Sequence, residues 1–106
     1  MNQLELATKR NDIARLFQHS SKIHRNCIRI NAGNSFRHES KKFSLCWCLA
    51  RDGKEFITEA VFENGLRADI VNLDNGTIYE IVQSECQASI DKKKAAYPLP
   101  VIVVKA

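Results

Sequence analysis

Two carboxylates lie where the chain is otherwise most apolar. Asp69 interrupts ADIVNL (68–73) and Glu80 interrupts TIYEIVQ (77–83), two short β-branched runs that read as strands. Asp74-Asn75-Gly76 between them is a hairpin signal, so the strands pair antiparallel. Counting outward from a turn at Asn75-Gly76 sets 74 against 77 and 73 against 78, and brings 69 near 82. Asp69 and Glu80 then stand about two positions apart across the ladder. Carboxylates on adjacent buried strands repel each other unless something positive lies between them. A hard cation such as Mg2+, which takes oxygen ligands, meets that demand. A third carboxylate, Glu39, falls on a helical stripe with Phe36 and Phe43, where it needs a partner if buried. Glu59 alternates with Ile57 and Val61, and is read as an edge charge that blocks strand-to-strand association or else as a residue that supports the acids from behind.

The elements that must position these groups fit one domain of 106 residues, with a helix and basic segment over 1–34 and a core over 35–106. Residues 3–19 predict a helix with Leu6, Ile13 and Phe17 on one stripe, and CIRI at 27–30 is strand-like. After the Gly33-Asn34 turn, Asn34 or Ser35 caps a second helix that stops before Gly53. Phe36, Phe43, Cys46 and Ala50 mark its expected inner face. Its later turns are apolar nearly all round, so it is expected to be covered on two sides. Strands follow at 55–63, 68–73 and 77–83. A capping box at Ser84–Gln87 opens a helix to about Ala96, Pro98 and Pro100 stop it, and VIVV at 101–104 reads as a strand buried on both faces. The class is α/β.

Charge is divided unevenly. Residues 1–53 carry ten Lys/Arg against four Asp/Glu, and residues 54–106 carry six against eight. A basic half suits a polyanion and an acidic half suits a site that holds a cation. No apolar run reaches the length of about 18 residues that spans a bilayer, and the polar N-terminus shows no signal-peptide pattern, so the expected location is the cytoplasm. The four cysteines, Cys27, Cys46, Cys48 and Cys86, are expected reduced and packed in the core. Cys46 and Cys48 would point about 200° apart on a helix and cannot chelate one ion. His19, His24 and His38 match no zinc spacing. Trp47 and Tyr97 are read as core residues.

His38-Glu39-Ser40 on a helix, then FITEAVFENGLRADIV, GTIYEIVQSE, a helix, YPLP and VIVV, resembles the PD-(D/E)XK nuclease core. The likeness covers residues 35–106 and is nearest to small resolvase-like and competence-type members. It implies a restriction-endonuclease-like αβββαβ core, with a mixed four-stranded sheet flanked by helices, plus the N-terminal helix. Asp69 and Glu80 match the two motif acids, and Glu39 matches the acid that many members carry on the first helix. The resemblance implies Mg2+ or Mn2+ held by Asp69, Glu80 and the backbone carbonyl of Ile81. Two positions depart from the pattern. Ala68 replaces the motif proline, and Val82 stands where the motif lysine belongs, two residues after Glu80. That lysine orients the attacking water and offsets charge in the transition state, which valine cannot do. Lys92, at helical spacing from Ala88 and Ala95, is the expected substitute, with Gln83 and Lys42 as further choices.

These implications predict a metal-dependent endonuclease acting on DNA. Lys22, Arg25, Arg29, Arg37, Lys41, Lys42 and Arg67 would grip the nucleic acid. A homodimer is expected, because a small domain with so apolar a helix gains from a partner. Val82 supports an alternative, a non-catalytic module of the same fold that binds nucleic acid or protein. A third reading is a small structural or regulatory interaction protein.

Overall fold

A computed structural model describes residues 1–19, 23–83 and 87–106. In chain order the elements are α1 (Gln3–Ala14), α2 (Phe36–Arg51), β1 (Phe56–Val61), β2 (Arg67–Asn72), β3 (Ile78–Val82), α3 (Gln87–Ala96) and β4 (Val101–Lys105). One sheet holds all four strands in the order β1-β2-β3-β4. β1–β2 and β2–β3 are antiparallel, and β3–β4 is parallel. The fold is therefore α/β with a mixed sheet. No helix among the described residues is long and apolar enough to cross a membrane.

Each face of the sheet carries its own apolar cluster. Ile57, Phe62, Val71, Leu73 and Ile78 pack with Ala14 and Phe17, and with Tyr97 and Leu99 beyond α3. Phe56, Ile70 and Ile81 pack on the other face with Cys46, Leu45 and Leu49 of α2. α2 and α1 thus lie on opposite sides of the sheet, and α2 packs on the sheet and against residues 28–34.

α1 begins at Asn2, whose side chain accepts the Glu5 N–H. It ends at Ala14, short of the predicted residue 19. Phe17 instead bridges Phe62 antiparallel, and Gln18 donates its N–H to the Val61 carbonyl at 2.8 Å. Asn26 donates to the Phe56 carbonyl, and Arg29 to the Thr58 hydroxyl at 2.9 Å. The outer edge of β1 is covered by these segments. CIRI at 27–30 forms no strand of its own. β4 is half-exposed rather than buried on both faces, with Ile102 49% exposed. The expected cap at 84–86 lies outside the described residues.

α2 is capped by Ser35, whose Oγ accepts the His38 N–H. Its rotation differs from expectation. His38, Lys42 and Cys46 face inward, while Phe36 and Phe43 are exposed. A polar inner face prevails because the acidic residues on the sheet beneath give it partners. Cys46 is fully buried and burial pushes its thiol up to about 12, whereas Cys27 and Cys48 are exposed rather than core.

Candidate active site

The β2–β3 connection sets the site. Asn72 N–H donates to the Thr77 carbonyl, so the loop holds four residues, Leu73 to Gly76, and not two. Gly76 takes φ 77°, a left-handed conformation that costs a glycine little. Register follows as Val71 against Ile78 and Ile70 against Tyr79. Asp69 and Glu80 come next and are direct cross-strand neighbours rather than two positions offset. The paired ladder stops there. Asp69 N–H donates to Glu80 Oε1 at 3.1 Å, and Ile81 N–H donates to Asp69 Oδ2 at 2.9 Å. The two carboxylates occupy the fork between the strands, where backbone carbonyls would otherwise accept.

The same row continues into β1. Thr58 pairs with Ile70 and Ala60 with Ala68, which sets Glu59 opposite Asp69. Three carboxylates therefore cross adjacent strands at one level. Like charges in such positions destabilise a sheet unless they are compensated. Glu59 holds φ 52°, a conformation that non-glycine residues seldom adopt. Ile57 and Ala60, three apart, consequently join the same apolar cluster, which a regular strand would not allow. The irregularity brings Glu59 Oε1 to 3.1 Å from Lys42 Nζ under α2. Glu59 is therefore a partner of an inner lysine, as the supporting role anticipates, and not an edge charge.

Lys42 is fully buried. Its ammonium also meets Glu39 Oε2 at 2.7 Å and donates to the Arg29 carbonyl at 2.8 Å. Burial alone would lower its pKa, but Glu39 and Glu59 raise it above the usual lysine value. Burial would likewise raise Glu39. Lys42, the Asn34 amide, the Asn31 N–H and His38 outweigh that and hold it at about 2. His38 links this network to the row of acids, with Nδ1 2.9 Å from Glu39 Oε1 and Nε2 3.3 Å from Asp69 Oδ2.

Charge at the fork is less well balanced. Burial raises Asp69, and the Ile81 N–H and His38 relieve it only in part. Burial and then repulsion from Asp69 push Glu80 up to about 7, against hydrogen bonds from the Asp69 N–H and the Tyr97 hydroxyl. The pair opens onto a cleft of about 310 Å3, lined also by Asn34, His38, Val82, Gln83 and Lys93. The sequence therefore identified Asp69, Glu80 and Gln83 at one cleft, with Glu39 one residue behind it through His38. It gave His38 no role and left Glu59 between two, because neither has a local signal of its partner.

Several expected roles change. Lys92 is exposed on α3 and does not line the cleft. Ile90, Lys93 and Tyr97 form the inner stripe, one position round from the expected face, because Ile90 is the buried apolar residue of this helix. Lys42 is closed to solvent and cannot touch a polyanion. Arg25 is engaged by Glu55 at 3.0 Å and by the Asn11 side chain at 2.8 Å. Arg29, Arg37 and Arg67 are exposed, and Lys41 is half-buried. Arg29 and Arg67 flank a shallow pocket of about 320 Å3 beside Glu59. Lys22 lies outside the described residues.

Among the described residues, no three His, Cys, Asp or Glu side chains converge as a metal site. The donor chemistry at the fork nonetheless fits a hard cation in kind. Burial raises both carboxyls, a cost that a bound cation would offset, and Ile81 lines the same cleft. Comparison with protein-family models, with curated proteins and with solved structures finds no match for this chain.

Proposed function

We propose that the protein is a metal-dependent nuclease that hydrolyses phosphodiester bonds in DNA. The observation that carries this reading is the Asp69–Glu80 pair, half-buried and buried respectively, opposed across the fork and open to a cleft. Asp69, Glu80 and the Ile81 carbonyl would hold Mg2+ or Mn2+. When bound, such an ion lowers the pKa of a water and polarises the scissile phosphate. The remaining roles fall to side chains around it. Glu39 fixes His38, and His38 orients Asp69. Lys93 and Gln83 line the cleft where a motif lysine is missing, and Lys93 would supply a cation there. Arg29 and Arg67 receive the backbone. The αβββαβ order and the parallel β4 agree with the restriction-endonuclease-like core that the resemblance implies.

Val82, buried two residues after Glu80, favours a second reading in which the domain binds without turnover. Incubating plasmid and branched DNA with the protein, with and without Mg2+ or Mn2+, separates the two. Cleavage that needs the metal supports the nuclease. Binding without cleavage under every metal condition supports the module.

The basic contacts have their own expected result. Arg29→Ala and Arg67→Ala should each reduce the slope of log affinity against log salt by about 1, the loss of one phosphate contact. Arg25→Ala should leave the slope nearly unchanged and lower thermal stability instead, because its guanidinium is held by Glu55. Fluorescence anisotropy across a salt series checks both.

A further inference from the structure

An aromatic stripe runs along the outer side of α2. Phe36 is 88% exposed, Phe43 55% and Trp47 54%. They succeed one another by seven and four residues, about 10 and 6 Å along the axis. Ile30, 80% exposed, stands across from them on the 28–34 segment. Ile30, Phe36 and Phe43 share a groove of about 680 Å3 with Asn34 and Glu39. These four large side chains expose about 500 Å2 of apolar surface, at the upper end of what monomeric proteins leave uncovered.

Charge around the stripe points to its occupant. Arg37 and Arg51 are exposed and Lys41 is half-buried along one flank, and the Arg51 guanidinium lies 5.2 Å from the centre of the Trp47 ring. Among the described residues of α2 and its caps, Asp52 is the one exposed carboxylate. A second copy on a two-fold axis would set these cations against their own kind. The Arg51 guanidinium also meets Asp52 at 3.4 Å, and an apolar protein helix would bring no charge to Arg37 and Lys41. A strand of unpaired nucleotides satisfies both features, since bases stack on aromatic faces regardless of sequence and phosphates meet the flanking cations. Asn34 lines both this groove and the Asp69–Glu80 cleft, which places the two side by side.

We propose that the Phe36–Phe43–Trp47 stripe is a binding track for single-stranded nucleic acid that delivers unpaired nucleotides to the cleft. The proposal rests on the nuclease reading of the cleft, and it specifies a substrate with unpaired bases.

Trp47 is the only tryptophan and serves as the probe. A short oligothymidylate, titrated into the wild-type protein in EDTA, should quench its fluorescence saturably. A blunt duplex of the same length should quench it far less. By anisotropy of the labelled oligothymidylate, Phe43→Ala and Trp47→Ala should each weaken binding about 10-fold, with unfolding midpoints unchanged. Phe36→Ala should do the same to a smaller degree. Equal affinity in wild type and variants overturns the proposal, as does equal quenching by the duplex. So does a wild-type dimer that Phe43→Ala converts to monomer without loss of oligonucleotide affinity, which assigns the stripe to a second copy. Chelation of metal keeps the two readings separable. Failure of quenching leaves metal-dependent cleavage to stand or fall alone, and quenching without cleavage sinks the nuclease and keeps the track.

Discussion

Glu80→Gln and Asp69→Asn are each expected to reduce Mg2+-dependent cleavage by at least about 10²–10³-fold, the scale for losing one group that acts on the transition state. Both substitutions keep the shape of the side chain and its capacity to accept the opposing backbone N–H. Neither should therefore unfold the protein. Glu80→Gln should raise the stability of the metal-free protein near pH 8. Folding holds the Glu80 carboxyl at about 7, above the ordinary glutamate value of 4.5, so the native state binds the proton more tightly than the unfolded chain does. For a raised carboxyl, stability is lost as pH climbs from about 4.5 to 7. The loss is on the order of 3 kcal/mol, and glutamine abolishes it. Glu39 acts in the opposite sense. Held at about 2, it contributes stability above the ordinary value of 4.5 that disappears as pH falls toward 2. Metal-free wild type should accordingly be most stable near the pH where these limbs meet, about 4.5–5. Urea melts of wild type and Glu80→Gln across pH measure both limbs.

Lys42→Met should be the most destabilising single change, at about 3–5 kcal/mol. Methionine fills much of the space left by the lysine stem but leaves Glu39 and Glu59 facing each other without the ammonium that meets both. Against a total stability of about 5–15 kcal/mol for a domain, that loss reaches the edge of folding. Glu59 adds to the effect, because its left-handed backbone is held in place by the same ion pair. Adding Glu39→Gln and Glu59→Gln to Lys42→Met should recover most of the stability, since it removes the uncompensated charges. Thermal melts of the single and triple variants test this, and a triple variant no more stable than the single one contradicts it.

Local signals explain which parts of this architecture the sequence revealed. The β-branched runs around Asp69 and Glu80, the turn residues Asn64-Gly65 and Asn75-Gly76, and the prolines before β4 each act over a few residues. They located all four strands and the order of elements. Turn length was less accessible, because Asp74-Asn75-Gly76 is compatible with either a two-residue or a four-residue loop. The difference moves the register by two residues, which keeps every side chain on its face but sets Asp69 directly against Glu80.

The rotation of α2 was hidden for another reason. A helix whose later turns are apolar nearly all round carries no strong stripe there to say which side goes in. The deciding partners of Lys42 and His38 are Glu59 and Asp69, distant in sequence and aligned only by the β1–β2 register. Glu59's backbone conformation has no sequence signature, so the row of three carboxylates could not be read before the sheet was assembled. Lys93 was displaced from notice by one position, since in Lys92-Lys93-Lys94 the inner residue depends on where Ile90 is buried.

Calorimetric titration of Mn2+ into the wild-type, Asp69→Asn and Glu80→Gln proteins at pH 8 tests the cation site most directly. The expected result is saturable binding to wild type that weakens by about 100-fold or more in each variant, as loss of a carboxylate ligand requires. Absence of binding to wild type, or equal binding to all three, would contradict a shared ion between these two carboxylates.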